Sequence, residues 1–387
     1  MDVDQLRTPD GAAALAAARA AGTDPLAAAT ALRGRGIPAA LAAAALTQED
    51  LRRRAAAKFG PDAAGMFFTR AGLEQATQGA VAARRAARLA ASGATAVADL
   101  GCGIGADAIA FARAGLAVRA VDADPLTAAV AAANAVELGL SHRISVSTMD
   151  ARDVDLSTVD AVFCDPARRT ATGRRVFDPT AYSPPWDFVS ALPRRVGRTV
   201  LKLAPGIDHA LLPAGAEAEW VSVGGEVVEA AVWAGPLAVV PRRATLLRAG
   251  AVVELTGSGQ VQAPVGRVRR YLYDPDGAVV RAHLVAEFAA TVGGTLADPQ
   301  IAYVYTDAAQ DTPFARRYEV VDELPFSVKR LRAVLRARGV GQVTITKRGS
   351  AVDVERLRRD LRLAGDGSAV VVLTRVAGAP TALLCAG

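Results

Sequence analysis

A chain of 387 residues, 51% hydrophobic with a formal net charge of +6, has apolar material for two or three domain cores, which excludes a small disulfide scaffold or a disordered tail protein. Its longest apolar runs are broken by Arg, Asp or Pro before the roughly 18 residues of a bilayer span, and its start, MDVDQLRTPD, lacks a basic stretch followed by an apolar one; the expectation is a cytoplasmic protein with no membrane contact. Cys102, Cys164 and Cys385 lie too far apart for a disulfide framework or a metal quartet, and His142, His209 and His283 are scattered, so neither a metal site nor a Ser-His-Asp triad is expected.

Residues 1–92 are rich in Ala, Leu, Arg and Gln and predict a helical unit, punctuated at Gly22-Thr23-Asp24-Pro25 and Gly34-Arg35-Gly36-Ile37-Pro38. Thr47 predicts the cap of a helix with Glu49 and Asp50 in its first turn, and a last helix, about Leu73 to Ser92, leads into the next segment.

Over residues 93–240, short apolar runs alternate with helix-like stretches, the signature of βαβ units in a parallel sheet. The expected strands are Val97–Leu100, Ala117–Val121, Ile144–Thr148, Ala161–Cys164, Thr199–Leu203, Glu219–Val223 and Ala230–Ala234; the Gly224-Gly225 link suits an antiparallel final strand. After the first strand, Gly101, Gly103 and Gly105 form either a tight structural turn or bare backbone for a ligand. Asp122, seventeen residues past Gly105 and ending the second strand, stands where a carboxylate reaches the ribose hydroxyls of a nucleotide. The third glycine falls one residue early for a dinucleotide fingerprint. Asp99, just before the turn, would repel a pyrophosphate and suit an ammonium.

Asp99, Gly101, Gly103 and Gly105 match D/E-x-G-x-G-x-G, and the sequence here resembles the class I S-adenosylmethionine-dependent methyltransferases over about Phe67 to Ala234. The resemblance implies a Rossmann-like, doubly wound α/β sheet with S-adenosylmethionine as cofactor. It implies Asp99 and the glycine turn near the methionine part, Asp122 on the ribose, Ala123 beside the adenine, and Asp150, followed by Ala151, against the adenine amine. Thr69–Thr77, where such enzymes often place a segment closing over the cofactor, reads equally as an N-capped helix. Asp165-Pro166-Ala167-Arg168, after the fourth strand, is similar to the D/N-P-P-Y/F/W motif of amino-methyltransferases, which implies that Asp165 and the Pro166 region position the acceptor for in-line transfer. Ala167 replaces the second proline and Arg168 the aromatic ring, which favours a phosphate or carboxylate contact by Arg168 or Arg169; a plain turn after a strand is the alternative. Lys202 ends the fifth strand on the same sheet edge, facing substrate or flanking the core, and Cys164 reads as core packing.

Residues 241–320 read as a β-rich connecting region, with strands at Ala244–Leu247, Val252–Leu255, Val268–Tyr273, Val279–Ala282 and Ile301–Tyr305 and a turn at Asp274-Pro275-Asp276-Gly277. Residues 321–387 predict a small α+β domain: a helix over Ser327–Arg338, a strand over Gln342–Thr346, a helix over Val354–Leu363 and a hairpin across Ala377-Gly378-Ala379-Pro380. Between Ser327 and Gly387, twelve Lys and Arg face four acids, a local surplus larger than that of the whole chain. Arg332–Val340, Ile345–Gly349 and Leu363–Asp366 resemble the THUMP-like domain found behind methyltransferase domains in a bacterial family. THUMP domains bind RNA, so the resemblance implies an RNA partner, with Lys347 and Arg348 as candidate contacts. Without aromatic side chains in this stretch, contact through the phosphate backbone or through shape is favoured over base stacking.

The leading reading is an S-adenosylmethionine-dependent methyltransferase acting on a base nitrogen of RNA, tRNA or rRNA. Beside it stand a methyltransferase acting on a protein or small molecule, and a non-catalytic RNA-binding module with a retained cofactor site. The sequence carries no signal of oligomeric state.

Overall fold

Thr8, Asp24 and Asp124 each turn a side-chain oxygen onto free N–H groups of the helix that follows, with Pro9, Pro25 and Pro125 in the first turns, so these helices begin where the sequence punctuates them. The computed structural model describes residues 3–168, 182–248 and 250–386. It contains two compact units: Met1–Leu203 with Ile207–Ala216 and Ala231–Val239, and Ala204–Gly206 with Glu217–Ala230 and Val240–Gly387. Among the described residues no helix is long and apolar enough to cross a membrane.

The first unit opens with helices α1 (Val3–Leu6), α2 (Pro9–Ala20), α3 (Pro25–Gly34), α4 (Ala39–Phe59), α5 (Arg70–Gln75) and α6 (Gly79–Ala91). Two expectations are corrected here. Thr47 caps nothing: it lies inside α4, and its hydroxyl donates to the Ala43 carbonyl at 2.8 Å. The helix expected from Leu73 to Ser92 is two helices, parted at Ala76-Thr77-Gln78. Lys58 Nζ donates to the carbonyls of Leu73, Glu74 and Ala76 at 2.7, 3.0 and 3.0 Å, and Thr77 turns aside to bond Asp107 at 2.7 Å.

Next come β1 (Ala96–Leu100), α7 (Ala106–Arg113), β2 (Ala117–Asp122), α8 (Pro125–Glu137), β3 (Ile144–Thr148) and β4 (Ala161–Cys164). They are followed by the short pair β5 (Ala167–Arg168) and β6 (Tyr182–Ser183), then α9 (Trp186–Arg195) and β7 (Arg198–Leu203). Strands β7, β4, β1, β2 and β3 lie side by side in that order, all parallel. The Asp160 carboxylate accepts from the backbone of Thr95 and Ala96 and from the Thr95 hydroxyl at 2.8–3.2 Å, tying the start of β1 to that of β4. All four residues of β4 are buried, as is β1 from Val97 onward, which is why both read as continuous apolar runs rather than alternating ones.

β8 (Glu217–Val223), in the second unit, neighbours β9 (Glu226–Trp233), which that unit includes as far as Ala230, across Gly224 and Gly225, both at positive φ. β10 (Arg242–Arg248) runs parallel to β8 and antiparallel to β11 (Ala251–Gly257). The remaining elements are β12 (Tyr271–Pro275), α10 (Gly277–Arg281), α11 (Val285–Thr291), β13 (Thr295–Leu296), β14 (Val304–Thr306), β15 (Ala315–Pro325), α12 (Val328–Ala337), β16 (Val340–Lys347), α13 (Val354–Leu361), β17 (Gly367–Val376) and β18 (Ala379–Cys385). Their strands form one sheet in the order β13-β14-β12-β15-β18-β17-β16. Alternation along β17 serves both faces of it: Ala369, Val371 and Leu373 pack with Leu331, Leu335 and Leu357 of α12 and α13, whereas Val370 and Val372 join Tyr303 and Tyr305 on the other side. The strand expected over Val279–Ala282 is instead helix α10 and its cap. Asp276, read as a turn residue, is an N-cap whose carboxylate accepts from Ala278 N–H at 2.9 Å.

Candidate active site

The turn after β1 holds Gly101, Gly103 and Gly105 at φ of +86°, +57° and +87°. A Cβ on Gly101 would stand 2.9 Å from the Asp165 carbonyl oxygen and one on Gly105 3.5 Å from Ala131 of α8, whereas among the described residues nothing lies within 4 Å of a Cβ on Gly103. Gly101 thus serves the protein's own packing, Gly105 leaves room for an ordinary contact, and the middle one faces open space. Its N–H donates to Asp122 Oδ2 at 3.0 Å, and Asp122 Oδ1 accepts from Asp124 N–H at 3.0 Å. Burial raises the Asp122 pKa against the pull of those two N–H groups. Ala123 is exposed beside it. Gly101→Ala should therefore cost stability, about 1–2 kcal/mol for the left-handed backbone plus the collision with Asp165, read in a denaturant titration. Gly103→Ala carries only the backbone part of that cost, yet should abolish ligand binding by filling the open space, read by calorimetric titration.

Asp99 is fully buried, and among the described residues neither carboxylate oxygen has a hydrogen-bond partner. Burial pushes its pKa well above the usual carboxylate range; Asp107, Asp165 and Asp122 push the same way and Arg85 opposes them. Burial also raises the Cys102 and Cys164 thiols, which accordingly stay protonated and unreactive.

Asp165 follows β4, and its N–H donates to Leu100 O at 3.2 Å. Its Oδ2 accepts from Lys202 Nζ, at the end of β7, at 2.6 Å. The structure thus brings two of the candidate residues into one ion pair. Asp150 lies beside Asp122, where Met149 N–H donates to Asp122 O at 3.0 Å, and its carboxylate meets the Arg152 guanidinium at 2.8 and 3.0 Å; Ala151 next to it is buried. Arg169 and the side chain of Arg168 lie outside the described residues. Lys347 and Arg348 belong to the second unit. There Lys347 donates to Val352 O at 2.7 Å, and Arg348 pairs with Asp274 at 2.7 Å while lying over the Tyr303 ring.

Several residues that shape the site carry no local signal. Asn134 of α8 uses both ends of its amide: Oδ1 accepts from Phe67 N–H at 2.6 Å, and Nδ2 donates to Phe67 O and to Ile104 O of the glycine turn at 3.0 and 2.9 Å. Gln48 of α4 grips Phe68 in the same two-ended way. These clamps set α5 onto the turn, close enough that a Cβ on Gly72 would collide with Ile104. Thr69 caps α5 through Gly72 N–H at 2.9 Å, so the two readings of Thr69–Thr77 are compatible: it is a capped helix packed against the turn. Lys58 holds the far end of that segment; burial and then the Lys202 ammonium lower its pKa. Beneath the turn, Asp107 of α7 is paired with Arg85 of α6, whose guanidinium also lies 4.7 Å from the Phe163 ring centroid. A lone polar residue inside an apolar run, as Asn134 is between Ala128 and Val136 of α8, is the sequence feature that marks one of these.

Comparison with known proteins agrees with this geometry. Residues 97–174 match the model of a methyltransferase domain, residues 315–386 that of a THUMP domain-like family, and residues 1–55 a domain of unknown function. Uncharacterized S-adenosylmethionine-dependent methyltransferases from two strains of Mycobacterium tuberculosis are each 40% identical over 343 residues, covering 84% of this chain and 90% of the relative. The crystal structure of a Porphyromonas gingivalis W83 protein ascribed to the methyltransferases shares the fold, with a TM-score of 0.71 and 22% identity over 97% of this chain and 98% of that one. The chain belongs to the S-adenosylmethionine-dependent methyltransferases. Its cofactor is S-adenosylmethionine, and the residues present fit it: a sulfonium and an ammonium suit a turn beside Asp122 and Asp99, whose oxygens have no hydrogen-bond partner among the described residues, and the space over Gly103 leaves room for them.

Proposed function

We propose that this methyltransferase modifies a base nitrogen of RNA, tRNA or rRNA. The observation that carries the proposal is the THUMP domain-like match over residues 315–386, joined to the basic outer faces of α12 and α13, where Lys329, Arg330, Arg336, Arg356, Arg358 and Arg359 are exposed. Such a surface suits contact with phosphates, which is sequence-independent and weakens with salt. In this reading Asp99 receives the ammonium end of the cofactor, Asp122 the ribose hydroxyls, and Asp150 with Ala123 and Ala151 the adenine. S-adenosylmethionine supplies a methyl group made electrophilic by the sulfonium. The work of the chain is to hold the acceptor in line with it. Asp165 keeps Oδ1 for an N–H of the acceptor while Lys202 occupies Oδ2, with Pro166 shaping the approach.

The test is transfer of labelled methyl from S-adenosylmethionine onto separate pools of unmodified RNA, DNA and protein, with Asp165→Ala as control. Label is expected in RNA and is lost in the variant. Label in protein alone favours the second reading, in which the altered Asp-Pro-Ala-Arg motif serves a different acceptor.

A further inference from the structure

We propose that S-adenosylmethionine binding expels a proton from Asp99, which is a neutral carboxylic acid in the cofactor-free protein and gives up that proton to solvent when the ammonium of the cofactor arrives. The inference rests on the placement of Asp99 at the amino end of the cofactor.

The geometry is unusual for an ionised group. Asp99 is 0% exposed, and both of its oxygens lack a donor among the described residues, so a negative charge there has neither bulk solvent nor a hydrogen bond from those residues to stabilise it. The elements around it add more of the same sign. Asp107 faces it from α7, Asp122 from the end of β2 and Asp165 from beyond β4, and the flanking thiols of Cys102 and Cys164 are neutral. Among the described residues the cation acting on it, Arg85 of α6, is committed to Asp107, and Lys202 is committed to Asp165. Burial and this ring of carboxylates hold Asp99 well above the usual carboxylate range, which agrees with a proton kept in the free state.

The proton count is simple. The free protein brings a carboxyl group and the free cofactor an ammonium, while the contact between them joins carboxylate to ammonium and so keeps one proton fewer. That proton leaves from Asp99. Affinity therefore tightens with rising pH, by up to about tenfold per unit, until the pH reaches the lower of the two pKa values, that of Asp99 or the ordinary α-amino value of about 7.7–8.0. S-adenosylhomocysteine keeps the ammonium and has no sulfonium, so it should release the same proton.

Isothermal titration of the full chain with S-adenosylmethionine at about pH 6, in buffers of differing ionisation enthalpy, should give an apparent enthalpy that changes linearly with the buffer, with a slope of about one proton released. The infrared band of a protonated carboxyl should disappear on binding. Asp165→Asn, which removes one neighbouring negative charge from a partly exposed position, should move the midpoint of proton release to lower pH. Binding enthalpies that do not depend on the buffer between about pH 5.5 and 7.5, with binding intact, would overturn the proposal. So would a carboxyl band that survives saturation, or release by S-adenosylmethionine without release by S-adenosylhomocysteine. Failure of the placement itself shows separately, as an Asp99→Asn variant that binds the cofactor like the wild type.

Discussion

Replacing Arg85 by Ala should lower the unfolding free energy of the first unit by about 3–5 kcal/mol, because removing one member of a buried ion pair strands the other charge. Arg85 is 2% exposed at the side chain and Asp107 7%, so the carboxylate has no solvent to turn to, and the Thr77 hydroxyl at 2.7 Å is a neutral donor that cannot balance it. The guanidinium also leaves the Phe163 face, whose attraction adds about 0.5–2 kcal/mol in a desolvated setting. Denaturant titration of the variant measures the sum. Arg85→Met with Asp107→Asn decides the cause: if the stranded charge dominates, this double variant recovers most of the loss, and if lost packing dominates it recovers little. Cofactor affinity should fall as well, since Asp107 sits in the first turn of α7, two residues after Gly105.

The glycine turn and Asp122 were legible in the sequence because their signals are local: three glycines that the turn holds at positive φ and a carboxylate that ends the next strand. The pairings around them are long-range. Asn134 meets Phe67 across 67 positions, Gln48 meets Phe68 across 20 and Lys202 meets Asp165 across 37, and nothing in a single strand or helix announces such a partner. Arg85 is hidden for another reason: in a chain with so many arginines a buried one has no distinguishing mark. The misreadings were failures of punctuation. Asp274-Pro275-Asp276-Gly277 contains the residues of a β-turn and equally those of a strand end followed by an N-cap, and the short apolar run after it fits strand or helix until its neighbours choose. At Ala76-Thr77-Gln78 the opposite happened: the helical periodicity runs on, but Lys58 and Asp107 supply tertiary partners that end one helix and begin another.

Lys202→Met should slow methyl transfer by about 10²-fold while leaving S-adenosylmethionine affinity unchanged, the loss expected when a positioned group is set free to turn. The reason lies in the 2.6 Å bond from Lys202 Nζ to Asp165 Oδ2, between side chains only 14% and 33% exposed, which fixes the carboxylate plane and, in the role proposed for Asp165, leaves one oxygen for the acceptor. Lys202→Arg keeps the charge and a donor, and should recover part of the rate. The double variant Lys202→Met with Asp165→Ala separates positioning from direct contact. If Lys202 acts only through Asp165, the double variant is no slower than Asp165→Ala alone; if Lys202 touches the acceptor itself, the two losses multiply.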